Sequence, residues 1–133
     1  MVIDCPPSLG ILTLNALAAA QEVLIPVQCE YLALEGLGQL LETLDLVRER
    51  LNPGLRLLGV LMTMHDSRTT LSAQVILEVQ KHFPRAALQS IIPRSVRLSE
   101  APSYGRPARQ YDPTSRGALA YSALADEVRR RAG

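Results

Sequence analysis

The sequence predicts an α/β domain: a mainly parallel sheet flanked by helices. Two observations carry this. Short apolar runs alternate with segments of helical period along the whole chain, the pattern of strands joined by right-handed crossover helices. The 133 residues are 47% hydrophobic and 20% charged, enough apolar side chains for one compact soluble domain and too few residues for a second.

Val2-Ile3-Asp4 is a short apolar run cut off by Pro6-Pro7 and reads as a buried strand. Leu9 to Ala20 carries leucines and alanines at helical spacing, and Glu22 to Val27 is apolar and β-branched enough for a second strand. From Leu34 to Leu51 the positions Leu37, Leu40, Leu41, Leu44, Val47 and Leu51 follow the i, i+3, i+4, i+7 rule, and Asn52-Pro53-Gly54 stops that helix. Leu55 to Met64 is a third strand. Leu71 to Phe83 is a helix with Leu71, Val75, Val79 and Phe83 on one face, closed by Pro84. Ala87 to Ile92 is a fourth strand. Pro93 to Ser115, punctuated by four prolines, is a long connection of the kind that carries function, and Gly117 to Arg131 ends the chain as a helix.

Fourteen basic against thirteen acidic residues leave a formal charge of +1, so nucleic-acid or membrane binding has to come from a local patch. Cys5 and Cys29 form neither a CxxC motif nor a disulfide framework; both read as small buried hydrophobes in a reducing cytoplasm. No apolar run is long enough to cross a bilayer. His65 and His82 lack partners at metal-ligand spacing, and Ser8 and Ser99 lack a nucleophile elbow; Ser8 reads as a cap for the helix after it. Thirteen of the fourteen basic residues are arginine, and the one lysine, Lys81, follows Gln80, so the chain contains no GxxxxGK[ST] phosphate loop.

In a parallel sheet, ligands lie at the carboxyl ends of the strands. Asp4, Cys29-Glu30, Met64-His65-Asp66 and Pro93-Arg94 all fall at or just past such ends, on one edge. Asp4, ending an apolar run ahead of two rigid prolines, has the place of a carboxylate that holds magnesium beside phosphates.

Longer motifs are specific. Val2-Ile3-Asp4-Cys5-Pro6-Pro7-Ser8-Leu9-Gly10, Ile25-Pro26-Val27-Gln28-Cys29-Glu30-Tyr31, Leu34-Glu35-Gly36-Leu37, Gly59-Val60-Leu61-Met62-Thr63-Met64, Asp66-Ser67-Arg68-Thr69, Ile92-Pro93-Arg94-Ser95-Val96-Arg97-Leu98-Ser99-Glu100-Ala101-Pro102-Ser103-Tyr104-Gly105 and Tyr111-Asp112-Pro113 occur in this order. Together they resemble the ParA/Soj chromosome- and plasmid-partitioning ATPases, which have a P-loop NTPase-like (Rossmann-like) fold. The resemblance spans the whole chain but only the carboxyl-terminal half of that family, so residues 1–133 are expected to be the later part of a single ATPase domain, truncated, with the Walker A half and its P-loop strand absent. That strand lies centrally in the family, between the equivalents of Met1 to Asp4 and Val23 to Val27, and its removal would leave a slot in the sheet.

By this resemblance Asp4 matches the Walker B aspartate near magnesium, and Cys5, Pro6, Pro7 and Gly10 belong to the switch II segment that senses the γ-phosphate. Met64, Pro93 and Arg94 fall where the family builds its adenine pocket. Arg68 and Arg97 match arginines used for non-specific DNA binding, where a few clustered guanidinium groups suffice whatever the net charge. ATP and magnesium are the family's cofactors, but this chain alone is expected to bind neither tightly and to be inactive. Implied partners are DNA, a ParB-type centromere-binding protein and a second copy; implied location is the cytoplasm, on the nucleoid.

Two other readings stay open: a non-catalytic DNA- or partner-binding module derived from the family, and a membrane-associated cargo-positioning relative. The second would use Arg129-Arg130-Arg131, but that segment lacks a long apolar face, and a basic helix end favoured by the macrodipole accounts for it. The family's usual apolar run between Gly105 and Tyr111 is replaced by Arg106-Pro107-Ala108-Arg109-Gln110, which is expected to alter how that loop packs.

Overall fold

The structure, a computed structural model, describes residues 1–132. Its elements in chain order are α1 (Ile11–Ala19), β1 (Glu22–Gln28), α2 (Ala33–Arg50), β2 (Arg56–His65), α3 (Thr70–His82), β3 (Ala87–Pro93), α4 (Val96–Glu100), a 3-10 turn (Ala101–Tyr104), α5 (Ala108–Tyr111) and α6 (Arg116–Ala132). The sheet is parallel in the order β1-β2-β3, with Ile25 opposite Val60, Val27 opposite Met62 and Val60 opposite Ala87.

Alternation of side chains along the strands splits the core in two. Ile25, Val27, Val60 and Met62 face one way and pack against Leu17, Leu37, Leu44, Val47, Val75 and Val79 from α1, α2 and α3. Leu61, Leu88 and Ile92 face the other way, toward Leu124 of α6 with Leu98 of α4 beside it. Gly59 brings the backbones of β2 and β3 close: a Cβ there would stand 2.1 Å from Leu88 Cδ1 and 2.9 Å from the Ala86 carbonyl oxygen. Asn52, just past α2, donates from Nδ2 to the carbonyls of Leu17 (3.0 Å) and Ala20 (2.7 Å), satisfying the end of α1 and tying it to the next helix.

The four long helices form where the sequence places them, with one shift of face. In α3 the buried residues are Ser72, Val75, Ile76 and Val79, while Leu71 is exposed at the start of the helix and Phe83 half-buried just past its end. Other expectations are corrected. Val2-Ile3-Asp4 is not a strand: residues 1–12 are all exposed, and no strand of the described residues lies beside this run to pair with its backbone. Cys5 is exposed, not buried; Cys29 is buried. Ser8 does not cap α1 through its side chain. Gly10 holds the cap position without a side-chain bond, and the Ser8 carbonyl instead accepts from the Thr13 hydroxyl at 2.6 Å.

The stretch from Pro93 to Ser115 is a chain of short helical turns, with the replaced segment ending in the single turn of α5. Leu98 sits where a Cβ on Gly117 would be, with its Cγ at 2.5 Å, which locks α4 onto α6. Tyr104 stacks on Tyr111 at 5.0 Å.

Along β3 the pairing register slips between Ala87 and Ile91, leaving consecutive N–H groups turned away from β2. Glu127 of α6 takes both: its carboxylate accepts from the N–H of Gln89 (2.8 Å) and of Ser90 (2.8 Å). Arg131, paired with Glu127 at 3.1 Å, donates to the carbonyls of Arg85 (3.1 Å) and Ala87 (2.8 Å). The sheet edge is thus covered by side chains of α6. Burial of Glu127 opposes its ionisation, but the donors from Gln89 and Ser90 and the charge of Arg131 outweigh that and hold the carboxyl below its ordinary range.

Two outcomes follow from these contacts. Gly59→Ala lowers unfolding stability by about 1–3 kcal/mol in a denaturant titration, because Leu88 and the Ala86 carbonyl cannot both retreat. Glu127→Gln costs about 1–3 kcal/mol at neutral pH. Since the carboxyl is depressed in the folded state, its contribution is complete above the unfolded value near pH 4.3 and fades as pH falls through the folded one. Melting curves between roughly pH 6 and 3 show a steeper acid loss for the parent chain than for the variant.

Candidate functional site

A cleft of about 410 Å³ opens at the carboxyl ends of the strands, lined by Cys29 and Glu30 after β1, Met64 and Asp66 at the end of β2, Arg68, Thr69, Leu71 and Ser72 entering α3, and Arg94 after β3. All three strands deliver a residue to one edge, as a parallel sheet requires. Burial raises the Cys29 thiol above its usual range, so it stands there as a neutral small side chain.

Met64 has a positive φ of 55°, the one non-glycine residue among those described in the left-handed region. That conformation costs an L-residue about 1–2 kcal/mol and concentrates where a chain must aim a side chain at a ligand. β2 continues one residue further, so that His65 pairs with Pro93 and the Arg94 N–H donates to the His65 carbonyl at 2.9 Å. Arg94 reaches back across the strand ends to Glu30 at 4.0 Å.

The loop into α3 is organised by Asp66. Its Oδ1 accepts from the Arg68 backbone N–H (3.0 Å) and from Arg68 Nε (2.9 Å), and its Oδ2 from the second guanidinium nitrogen (2.8 Å). This two-pronged bond from the guanidinium holds the Asp66 carboxyl well below the usual carboxylate range. The Thr69 hydroxyl accepts from the Ser72 N–H at 3.4 Å and caps α3.

Arg97 lies in α4, off the end of β3, and does not line the cleft. It is held by Glu100 (3.1 Å) and Asp112 (3.4 Å), and the Tyr111 hydroxyl donates to the same Glu100 oxygen at 2.8 Å. The bond to Glu100 favours the protonated forms of both Arg97 and Tyr111.

Of the residues singled out by sequence, Met64, Arg68 and Arg94 come together in the cleft, with Pro93 paired at its rim. Asp4, Cys5, Pro6, Pro7 and Gly10 do not line it; they belong to the exposed segment before α1. Thr69, Leu71 and Ser72 were missed as lining residues. The run of hydroxyls after Asp66 is a helix-start signal that could have placed Thr69 and Ser72 there. Among the described residues no three His, Cys, Asp or Glu side chains group so as to hold a metal ion.

Comparison with known proteins places this geometry. An AAA domain family model matches residues 1–57. The chain is 60% identical over 128 residues to the sporulation initiation inhibitor protein Soj of Bacillus subtilis, covering 96% of this chain and 51% of that protein. It is 56% identical over 131 residues to the chromosome partitioning protein ParA of Myxococcus xanthus, covering 98% and 46% respectively. Among solved structures, cobyrinic acid a,c-diamide synthase from Mycobacterium smegmatis with bound ADP and magnesium superposes with a TM-score of 0.73 at 45% identity, over 92% of this chain and 43% of that one. The septum site-determining protein MinD from Pyrococcus horikoshii, complexed with Mg-ADP, superposes with a TM-score of 0.72 at 26% identity, over 98% and 50%. The fold is accordingly P-loop NTPase-like, and the chain, spanning about half the length of the curated relatives it matches, is similar over nearly its whole length to ParA/Soj partitioning proteins.

Proposed function

We propose that the chain serves chromosome or plasmid segregation as the carboxyl-terminal part of a ParA-type ATPase domain, contributing the wall of a nucleotide-base pocket and arginines that meet DNA. The observation that carries this is the strand-end cleft, in which Met64, Arg94 and Arg68 stand together on the ligand-bearing edge of a parallel sheet.

The residues present fit one end of a nucleotide. Met64 and Leu71 offer apolar surface to a flat base, and Thr69, Ser72 and Glu30 offer polar atoms to its rim, with Pro93 and Arg94 closing the side toward β3. The phosphate and magnesium end is not matched. No glycine-rich phosphate loop occurs in the chain, and Lys81 sits in the last turn of α3, away from the strand ends. Asp4 is an exposed carboxylate, and among the described residues it belongs to no group of three or more side chains able to hold a metal ion. In this reading Asp4 and the segment from Cys5 to Gly10 are a Walker B and switch II region that gains its geometry only against the parts of the family that grip triphosphate. Hydrolysis needs a preorganised phosphate cradle and an oriented water, so the chain by itself is proposed to be inactive. A ParB-type partner, pairing with a second copy and a place on the nucleoid belong to the same reading.

A non-catalytic DNA- or partner-binding module is the second reading, favoured by a core in which no buried side-chain polar atom of the described residues lacks a partner. For a membrane-attached relative the chain offers less: no described helix is long and apolar enough to cross a bilayer, and of the three terminal arginines Arg129 pairs with Asp126 and Arg131 with Glu127 and the carbonyls of Arg85 and Ala87.

Two measurements test the proposal. The purified chain should release no phosphate from ATP in the presence of magnesium, and sustained magnesium-dependent release would refute the inactive assignment. Non-specific duplex DNA should be bound with a strong salt dependence. Arg68→Ala and Arg97→Ala should each weaken binding and flatten the plot of log affinity against log salt by about 0.9, the share of one lost phosphate contact. Unchanged slopes in both variants would remove the DNA role from these arginines.

A further inference from the structure

Both arginines assigned above to DNA are already occupied by carboxylates in the free chain. Arg68 is gripped two-pronged by Asp66, and Arg97 lies between Glu100 and Asp112. We propose that these carboxylates are internal stand-ins for phosphate: they hold the two guanidinium groups when no DNA is present, compete with the DNA backbone for them, and so set the affinity of the surface. The inference rests on the proposed contact of Arg68 and Arg97 with DNA.

A carboxylate and a phosphate offer a guanidinium the same pair of in-plane acceptor oxygens, so either can take the place of the other. Whether exchange is possible depends on how far the pair is buried, and the chain contains both extremes. Arg131 and Glu127 have side chains only 26% and 7% exposed and also bind strand backbone, so that pair is committed to the fold. Arg68 is 83% exposed while Asp66 is 18% exposed and fixed by the Arg68 backbone N–H, so the guanidinium can leave while the carboxylate stays. At 56%, Arg97 too is mostly open to solvent. Exposed pairs of this kind contribute little to stability, which keeps the competition modest and reversible. Because the Asp66 carboxyl is held well below the usual range, it remains ionised throughout neutral and mildly acid conditions, and the competition should not relax there.

The experiment is a double-mutant cycle on the full chain, reading the anisotropy of a labelled duplex of arbitrary sequence at fixed salt. Asp66→Asn keeps the oxygen that accepts from the Arg68 backbone N–H but loses the charge, and is expected to tighten binding about threefold to fivefold. That gain should disappear in the Arg68→Ala background. The pair Glu100→Gln with Asp112→Asn should do the same, with its gain lost in the Arg97→Ala background. Glu49→Gln, near the end of α2 and the opposite sheet edge, controls for bulk charge and should shift affinity less than about twofold. Circular dichroism melts confirm that each variant is folded; should one loop be perturbed, the other arginine reports independently. Weaker binding on neutralisation would mean that the carboxylates present the arginines instead of competing for them, and would overturn the proposal. A gain that persists without the arginine would reduce it to net charge and also overturn it. If the alanine variants bind as the parent does, the DNA assignment of Arg68 and Arg97 fails first, a result separable from either of these.

Discussion

The fold depends on β2 being paired along both sides at once. Its central residues Gly59, Val60, Leu61 and Met62 are all buried, because helices cover both faces of the sheet and neighbouring strands cover both edges. Pairing on two sides leaves no room for compromise in side-chain size where β3 approaches, and Gly59 meets that constraint. From this strand the two half-cores follow by simple alternation, and so does the placement of the cleft, since its far end delivers Met64 and Asp66.

The charged groups of the chain divide by how deeply they sit. Glu127 and Arg131 cover the outer edge of β3, and their charges are spent on backbone groups that would otherwise be unpaired. The pairs at the carboxyl edge are exposed and are not needed for the core. That division separates arginines that hold the protein together from arginines free to meet something else, which formal net charge could not do.

Much of this was legible in the sequence, and the limits have physical causes. Periodicity located β1, β2, β3 and the long helices because each buries an apolar stripe against the sheet. It failed at Val2-Ile3-Asp4, where an apolar run is necessary for a buried strand but a partner strand is required as well. The face of α3 was misplaced by Leu71, whose large side chain invites an inward assignment while its position at the cleft mouth turns it outward. At the site, the order of residues foretold that Cys29, Glu30, Met64, Asp66 and Arg94 would share an edge. It could not foretell that Asp66 grips Arg68 or that Met64 is left-handed, because both depend on side-chain and backbone torsions that no spacing encodes. Glu127 was invisible for a related reason: an acid on a basic, amphipathic helix reads as surface unless the slipped register of β3 is known.

The outer edge of β1 carries a proline at its centre. The Cys29 N–H points toward β2, so by alternation the backbone of Pro26 faces outward, where the residue is exposed and has no hydrogen to donate. A stray polypeptide trying to extend the sheet there would leave one of its own carbonyls unmatched in the middle of the new ladder. Any strand that comes to lie along this edge must therefore do without one ladder hydrogen bond at Pro26.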